Sequence, residues 1–359
     1  MNIEEKIRLV KEVGEEVINE KELRELFEKN KNPIAYDGFE PSGRIHIAQG
    51  LLRAINVNKL TSTGIKFKFW VADWFGMLNN KMGGDLNKIR IIGKYFIEVW
   101  KACGMNLEKV DFIWASDFIK VHPDYWETVL KLSMNATVQR VLRCGQIMGR
   151  KESTANPSSQ ILYPLMQAAD IHHLGADIAQ LGMDQRKVNM LARDIFPKLD
   201  FVPPIVVSHH MLRGLTEPQS KGEKGINAAI AKKMSKSNPN SAIFMTDSEE
   251  EVKVKFKKAY CPEAEIEDNP ILEYFKYIIF EKFDNVIIER PKKFGGNSSF
   301  DSYSNLEKAF EKKEIHPLDL KNTCAKYINL LLEPVRDHFS KNKEAKALLE
   351  KVESFQVTR

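Results

Sequence analysis

Cysteine is scarce in this chain. The four residues Cys103, Cys144, Cys261 and Cys324 are scattered, with no C-x-x-C spacing, which excludes a disulfide scaffold and a thiolate zinc cluster and predicts a reducing compartment. Long apolar runs are missing too. No stretch reaches the ~18 residues a spanning helix needs, so no membrane partner is expected. The opening MNIEEKIRLVKEVGEEV has neither the apolar centre of a secretion signal nor the acid-poor, Arg- and Ser-rich make-up of a transit peptide, and the expectation is a cytoplasmic protein. Neither sign of charge dominates: 54 Lys and Arg stand against 49 Asp and Glu, a net +5. That balance permits an anionic partner without establishing nucleic-acid binding. Internal repeats and low-complexity tracts are absent, and the short charge runs at 249–251 and 257–258 read as solvated helix faces.

What is present is an ordinary globular composition, 43% hydrophobic, spread over 359 residues. Single cores rarely grow past ~250–300 residues, so two domains are expected. Between 33 and 207, short β-forming runs (33–39, 66–72, 110–115, 176–181, 203–207) alternate with amphipathic helical stretches (47–61, 86–103, 125–148, 161–174, 184–196). Alternation of this kind predicts an α/β fold with a Rossmann-like, doubly wound parallel sheet. Residues 212–240, rich in Lys, Gly, Ser and Asn, read as a long functional loop. Beyond 248 the pattern turns mostly helical, at 248–260, 270–280, 304–312 and 318–340. The expected organisation is an N-terminal helical segment over 1–30, a catalytic domain over 31–247 and a helical domain over 248–359.

Four short segments carry chemistry. YDGFEPSGRIHIAQ over 36–49 runs from a strand through a Pro/Gly turn towards a helix, a junction whose free N–H groups and positive helix end suit phosphate. His46 falls in the first helical turn on this reading; a plain βα turn with a surface histidine explains the same residues. KMSKS over 233–237 puts Lys233 and Lys236 three apart, with the hydroxyls of Ser235 and Ser237 beside them, so two ammonium groups could close over a developing pyrophosphate. Any basic surface loop would look similar. Tyr163, Gln167 and Asp170 recur at helical spacing on an otherwise apolar helix; they form either a buried polar stripe that must find partners or a solvent-facing one. Gly182-Met-Asp184-Gln185 follows a strand, where Asp184 and Gln185 could hold ribose hydroxyls or an amino group, or Asp184 could simply cap the next helix.

Taken in order and spacing together, these segments resemble a family. Residues 36–49 look like the first signature of the class I aminoacyl-tRNA synthetases, usually written H-I-G-H, and 233–237 reproduces the second, K-M-S-K-S, in full. The segments Tyr36-x-Gly38-Phe-Glu40-Pro-Ser-Gly, Tyr163-x-x-x-Gln167-x-x-Asp170 and Gly182-Met-Asp184-Gln185 are similar to the tyrosyl-tRNA synthetases of archaeal and eukaryotic type. One departure is visible: the signature stands here as His46-Ile-Ala-Gln49, with alanine for the glycine and glutamine for the second histidine. Gln49 keeps an N–H donor for phosphate.

The resemblance implies ATP-dependent attachment of L-tyrosine to tRNA(Tyr) through tyrosyl-adenylate, with Mg2+ carried on the ATP phosphates and no prosthetic group or protein-bound metal. It implies that Tyr36 and Asp170 bind the phenol, that Tyr163, Gln167 and Gln185 meet the ammonium, and that Gly38, Trp70, Ala72 and Phe75 line the pocket. ATP would lie across Gly38, Glu40, His46, Gly182 and Asp184, with Lys233, Ser235 and Lys236 over its phosphates. The catalytic group would be His46, Gln49, Lys233, Lys236 and Ser237. In the helical domain Phe294, His316 and Asp319 resemble anticodon-reading residues, although a capped helix also explains the His316-Pro-Leu-Asp segment. The region from Arg290 to Arg359 holds 14 Lys and Arg against 10 Asp and Glu, a net +4. A homodimer is implied, with its interface about 125–148. Two alternatives are a tryptophanyl enzyme, whose indole substrate needs only one acceptor, and a synthetase-like RNA-binding module without activity, against which the intact KMSKS segment argues.

Overall fold

The structure, a computed structural model, describes residues 1–145, 157–218, 234 and 239–355. Its centre is a six-stranded sheet in the order β1-β6-β5-β2-β3-β4. The strands are β1 (Gly14–Ile18), β2 (Ile34–Phe39), β3 (Lys66–Val71), β4 (Val110–Trp114), β5 (Ile178–Gly182) and β6 (Ile205–His209). Five run parallel, as the alternating pattern predicts; β1 pairs antiparallel with β6. The segment 1–30 therefore departs from the all-helical expectation. Helix α1 (Ile3–Val13), started by a reciprocal Asn2/Glu5 capping box, is followed by β1 and then α2 (Glu20–Lys29). GEEVI is too polar to stand out as a strand, and it becomes one because β6 offers an open edge.

Pairing between β2 and β3 continues to Phe39 and Val71, whereas pairing between β2 and β5 ends at Tyr36 and Ala179. Beyond Tyr36 the two strands part. This is where strand order reverses, and the carboxyl ends of strands at such a point form the ligand crevice of doubly wound sheets.

Side-chain alternation divides the core between the two faces of the sheet. On one face Phe39, Phe67, Phe69 and Val71 pack with α3 (Leu51–Ser62) and α5 (Leu86–Ala102), where Phe69 stacks on Trp100 at 4.7 Å. On the other, Tyr36, Trp70 and Ala179 pack with α7 (Asp124–Met134), α9 (Ser159–His173) and α10 (Arg186–Ile195). Short helices α4 (Asp73–Leu78), α6 (Ala115–Val121) and α8 (Val138–Cys144) complete this part.

Three expected helices differ in detail. The stretch 47–50 is a turn, so α3 begins at Leu51 and His46 stands ahead of the helix instead of in its first turn. The stretch 125–148 breaks at Asn135 into α7 and α8, because Thr137 caps a new helix through a bond from Arg140 N–H. Asp184 lies in a 3-10 turn before α10 and does not cap it.

The C-terminal part contains α11 (Glu249–Lys258), α12 (Pro270–Tyr274) continued by a π-turn, α13 (Tyr303–Glu311), α14 (Pro317–Lys341) and α15 (Lys343–Ser354). It also holds a two-stranded hairpin, β7 (Val286–Ile288) with β8 (Ser298–Phe300), so it is mainly but not wholly helical. One buried cluster runs from Ile7 of α1 to Val352 of α15, and His338 of α14 meets Glu98 of α5 at 2.8 Å. None of the described helices is long and apolar enough to cross a membrane.

Candidate active site

The polar residues of α9 face the sheet and are buried: Tyr163, Gln167 and Asp170 all lie against the Tyr36 and Trp70 face. Of the two readings of that stripe, the buried one is realised, and the partners it requires are present. Asp170 Oδ1 accepts from the Tyr125 hydroxyl of α7 at 2.7 Å, and Gln167 Nε2 donates to Gln185 Oε1 at 3.2 Å. Burial pushes the Asp170 carboxyl well above the usual carboxylate range, with the Tyr125 bond opposing that rise. Tyr36 is fully enclosed. Its phenol is driven up by burial first and by the neighbouring Asp170 charge second, and Gln167 lies close enough to offset a little of this. Among the described residues, neither the Tyr36 hydroxyl nor the Trp70 indole N–H has a partner of hydrogen-bonding geometry. Buried donors of this kind call for a ligand acceptor.

The pocket's walls are aromatic. The Trp70 ring meets Phe118 edge-on at 5.4 Å, and Phe75 meets Tyr163 edge-on at 5.0 Å. Gly38 sits between Tyr36 and Trp70: a Cβ there would lie 3.7 Å from Trp70 Cδ1 and 3.9 Å from Tyr36 Cε2, so a methyl group fits the protein but takes space from the pocket. Ala72 donates its N–H to Phe39 O at 3.0 Å and leads into α4. Asp73 points elsewhere. Its carboxylate accepts from Ser116 Oγ at 2.6 Å and pairs with Arg90 at 3.0 Å, a structural task.

Glu40 is tied to α9 and to the chain after α4. Its carboxylate accepts from the Tyr163 hydroxyl and from Asn79 Nδ2 at 3.0 Å, with Lys81 3.6 Å away.

Behind the crevice lies a buried charge network that sequence reasoning missed. Arg53 of α3 pairs with Asp37 at 2.6 Å, donates to Gln180 Oε1 at 2.7 Å and lies 2.9 Å from His209 Nε2. Burial raises Asp37 to about 6 against the pull of Arg53, and burial together with Arg53 pushes His209 well down, leaving its imidazole neutral and able to accept. The available signal was an arginine inside the otherwise apolar LLRAINV segment. Tyr125 was missed for a different reason: nothing local to α7 distinguishes it from a packing tyrosine.

Gly182 ends β5 where a Cβ would fall 2.6 Å from Met211 Sδ and 2.7 Å from Asp184 Oδ1, so a side chain there would push both aside. The His46 segment reaches the site differently. His46 bridges Phe244, with Ile47 N–H donating to Ile243 O and Met245 N–H to Ile45 O, both at 2.9 Å. The first signature is thereby tied to the chain just after the second. The main-chain oxygen of Gln49 accepts from Trp100 Nε1 at 2.8 Å. Of the second signature only Met234 is described; it is buried and donates its N–H to Leu212 O at 3.0 Å. Lys233, Ser235, Lys236 and Ser237 lie outside the described residues. Among the described residues no cluster of His, Cys, Asp and Glu could hold a metal ion, and all four cysteines are free.

The anticodon candidates lie apart from this pocket, on the C-terminal part. Phe294 is 62% exposed with the Lys293 ammonium over its ring. Arg290 donates to the Glu314 carbonyl, tying that loop to the start of α14. His316 Nδ1 accepts from Leu318 N–H and caps α14, as the plainer reading held, while its ring stays exposed; Asp319 is in the first turn.

Three comparisons bear on this architecture. The family model described as tRNA synthetases class I (W and Y) matches residues 28–333. Tyrosine--tRNA ligase 1, cytoplasmic, of Arabidopsis thaliana is 50% identical over 359 residues, 99% of this chain and 90% of that protein. The tyrosine--tRNA ligase of Pyrococcus furiosus is 41% identical over the whole of both chains. Among solved structures, tyrosyl-tRNA synthetase of Pyrococcus horikoshii, complexed with L-tyrosine, superposes with a TM-score of 0.90 at 38% identity, covering 98% of this chain and all of that one. The Leishmania major enzyme with tyrosinol gives 0.90 at 46% identity, this chain spanning 61% of its length. A tryptophanyl-tRNA synthetase from Aeropyrum pernix, at 18% identity and a TM-score of 0.65, shares the fold alone.

Proposed function

We infer the reaction and its residue roles from one premise: the chain belongs to the class I aminoacyl-tRNA synthetases, in the tyrosyl branch of archaeal and eukaryotic type. It is a tyrosine--tRNA ligase, joining L-tyrosine to tRNA(Tyr) at the expense of ATP. The observation that carries the residue assignment is the pairing of Tyr36 and Asp170 in one buried pocket, with Glu40, Gln167 and Gln185 as its other polar groups.

In our reading the substrate phenol lies between Tyr36 and Asp170, which supply a donor and an acceptor. Phenylalanine would leave the Tyr36 hydroxyl unpaired and Asp170 with only its Tyr125 bond, a far larger penalty than a missing methylene. Indole offers a single donor and fits the pair less well. The ammonium meets Tyr163, Gln167, Gln185 and the Glu40 carboxylate, the one anion among them. This orients the tyrosine carboxylate towards the crevice between β2 and β5, where ATP carrying Mg2+ lies along Gly38, Gly182 and Asp184. His46 and Gln49 face its phosphates, and Lys233, Ser235, Lys236 and Ser237 complete the charge around the pyrophosphate. The carboxylate oxygen attacks the α-phosphorus in line, the bond to the bridging oxygen breaks, and pyrophosphate leaves with the electron pair. The terminal ribose hydroxyl of tRNA then attacks the acyl carbon and releases AMP. The protein contributes position and charge stabilisation, with no covalent intermediate of its own.

We further propose a homodimer. Trp126, Leu130 and Met134 of α7 follow one another at four-residue spacing and are 40%, 64% and 84% exposed, with Val138 and Leu142 of α8 also exposed. An apolar stripe of that extent suits a second copy of this chain. The reaction is assigned to the cytoplasm, as the name of the Arabidopsis relative is.

The decisive experiment is tyrosine-dependent exchange of labelled pyrophosphate into ATP, repeated with Lys233→Ala and Lys236→Ala. Exchange by the wild type and a slower single-turnover rate at unchanged tyrosine affinity in the variants support the assignment. Absence of exchange in the wild type would leave the RNA-binding alternative standing.

A further inference from the structure

We infer that Asp247 is a positioning residue for adenylate formation, holding the His46 segment in place through the chain that leaves the second signature. The inference rests on the role given to His46 above.

Asp247 is fully buried, yet it carries a charge that no substrate group is assigned to meet. Its Oδ2 accepts from Phe244 N–H at 2.9 Å and from Lys255 Nζ of α11 at 2.5 Å; its Oδ1 accepts from Arg44 Nη2 at 3.0 Å. The main chain closes the same turn, Asp247 N–H donating to Phe244 O at 3.1 Å. From the far side, Arg336 Nε of α14 donates to Asp247 O at 2.8 Å. The Phe244 ring is flanked by the Arg44 guanidinium at 4.8 Å and the Lys255 ammonium at 4.9 Å.

Two of these partners bracket His46. Phe244 is its bridging residue, and Arg44 stands two positions before it, anchored also to Thr246 Oγ1 at 3.0 Å. One carboxylate therefore fixes both strands of the short bridge that carries His46. A buried ion pair is a poor source of stability, because desolvation offsets most of its attraction. It is a good source of position, since each partner has one direction in which to point. Phosphate chemistry is sensitive to this, as misplacement by about 1 Å costs up to 100-fold in rate.

The test measures tyrosyl-adenylate formation in a single turnover by the full chain, tyrosine affinity by equilibrium binding, and the melting temperature, for Asp247→Asn, Arg44→Lys and Arg336→Gln. Asp247→Asn is expected to slow adenylate formation at saturating substrates about ten- to hundred-fold with tyrosine affinity unchanged within about twofold. Arg336→Gln loosens the hub from the side away from His46, so it should lower the melting temperature and leave the rate within about twofold. Arg44→Lys keeps the charge but loses the guanidinium fork; it should slow the step several-fold, and it carries the test alone if Asp247→Asn does not fold. A wild-type rate in Asp247→Asn, or rate losses across the three variants that simply follow their losses in melting temperature, would overturn the inference. Failure of the wild type to form adenylate would instead remove the reading beneath it.

Discussion

The Tyr125 hydroxyl of α7 donates to Asp170 Oδ1 of α9 at 2.7 Å, so the carboxylate assigned to the substrate phenol is already held by a second phenol of the protein's own. One lone-pair direction is occupied and the carboxyl plane is set. Because Tyr125 shares α7 with the exposed Trp126, Leu130 and Met134, the residue that orients Asp170 stands on the helix proposed to meet a second subunit.

Tyr125→Phe removes that donor without changing packing volume. Leaving a buried acceptor unmatched costs about 1–3 kcal/mol, so tyrosine affinity should fall roughly five- to hundred-fold with ATP affinity unchanged. Asp170→Ala should go further and erase the preference for tyrosine over phenylalanine. Equal losses for the two amino acids in competition binding would contradict the phenol assignment.

Two glycines should affect different substrates. Gly38→Ala meets only ordinary contacts at 3.7 and 3.9 Å, so the melting temperature should hold while the Michaelis constant for tyrosine rises about tenfold or more. Gly182→Ala places its methyl 2.6 Å from Met211 Sδ and 2.7 Å from Asp184 Oδ1. Both atoms belong to flexible side chains that can turn aside, so the melting temperature should change little, while the displaced Asp184 should raise the Michaelis constant for ATP. An effect of both variants on the same substrate would show that the crevice is drawn wrongly.

His210 provides a pH dependence whose sign is fixed. It lies 3.2 Å from both Glu15 and Glu273, and these partners outweigh burial to raise its imidazole to about 9. A raised folded-state value means the stabilisation is complete below the unfolded value near 6.5 and is lost as pH rises through about 9, up to roughly 3 kcal/mol in all. Thermal unfolding of the wild type should therefore weaken between pH 6.5 and 9.5, and His210→Gln should flatten that part of the profile. Parallel profiles would exclude the assignment.

Phe294→Ala should raise the Michaelis constant for tRNA about ten- to hundred-fold, since stacking is worth ~1–3 kcal/mol per base, and should leave adenylate formation untouched. A mixed dimer with Phe294→Ala in one subunit and Asp170→Ala in the other tests whether one tRNA bridges both. Retained charging supports bridging; poor charging by that dimer, beside a normal wild type, would sink it.

The sequence by itself determined the chemistry and the class of fold. Apolar runs alternating with amphipathic helices specify a mostly parallel sheet, because only that arrangement buries strands on both faces. The two signatures and the polar segments at 163–170 and 182–185 carry their residue types in fixed local order, so Tyr36, Gln167, Asp170 and Gln185 could be singled out from the sequence alone. Tertiary structure decided what depends on partners distant in the chain. The polar segment Gly14–Ile18 became a strand only against β6. His46 left the helix because its segment pairs with Ile243–Met245, nearly two hundred residues away. Glu40 was joined to Tyr163 across more than a hundred residues, and Tyr125, Arg53 and Asp247 gained partners no local pattern announces. Hydrophobic periodicity records which face of an element is buried, whereas a buried polar group is defined by what it bonds to, and that information exists only once the chain has folded.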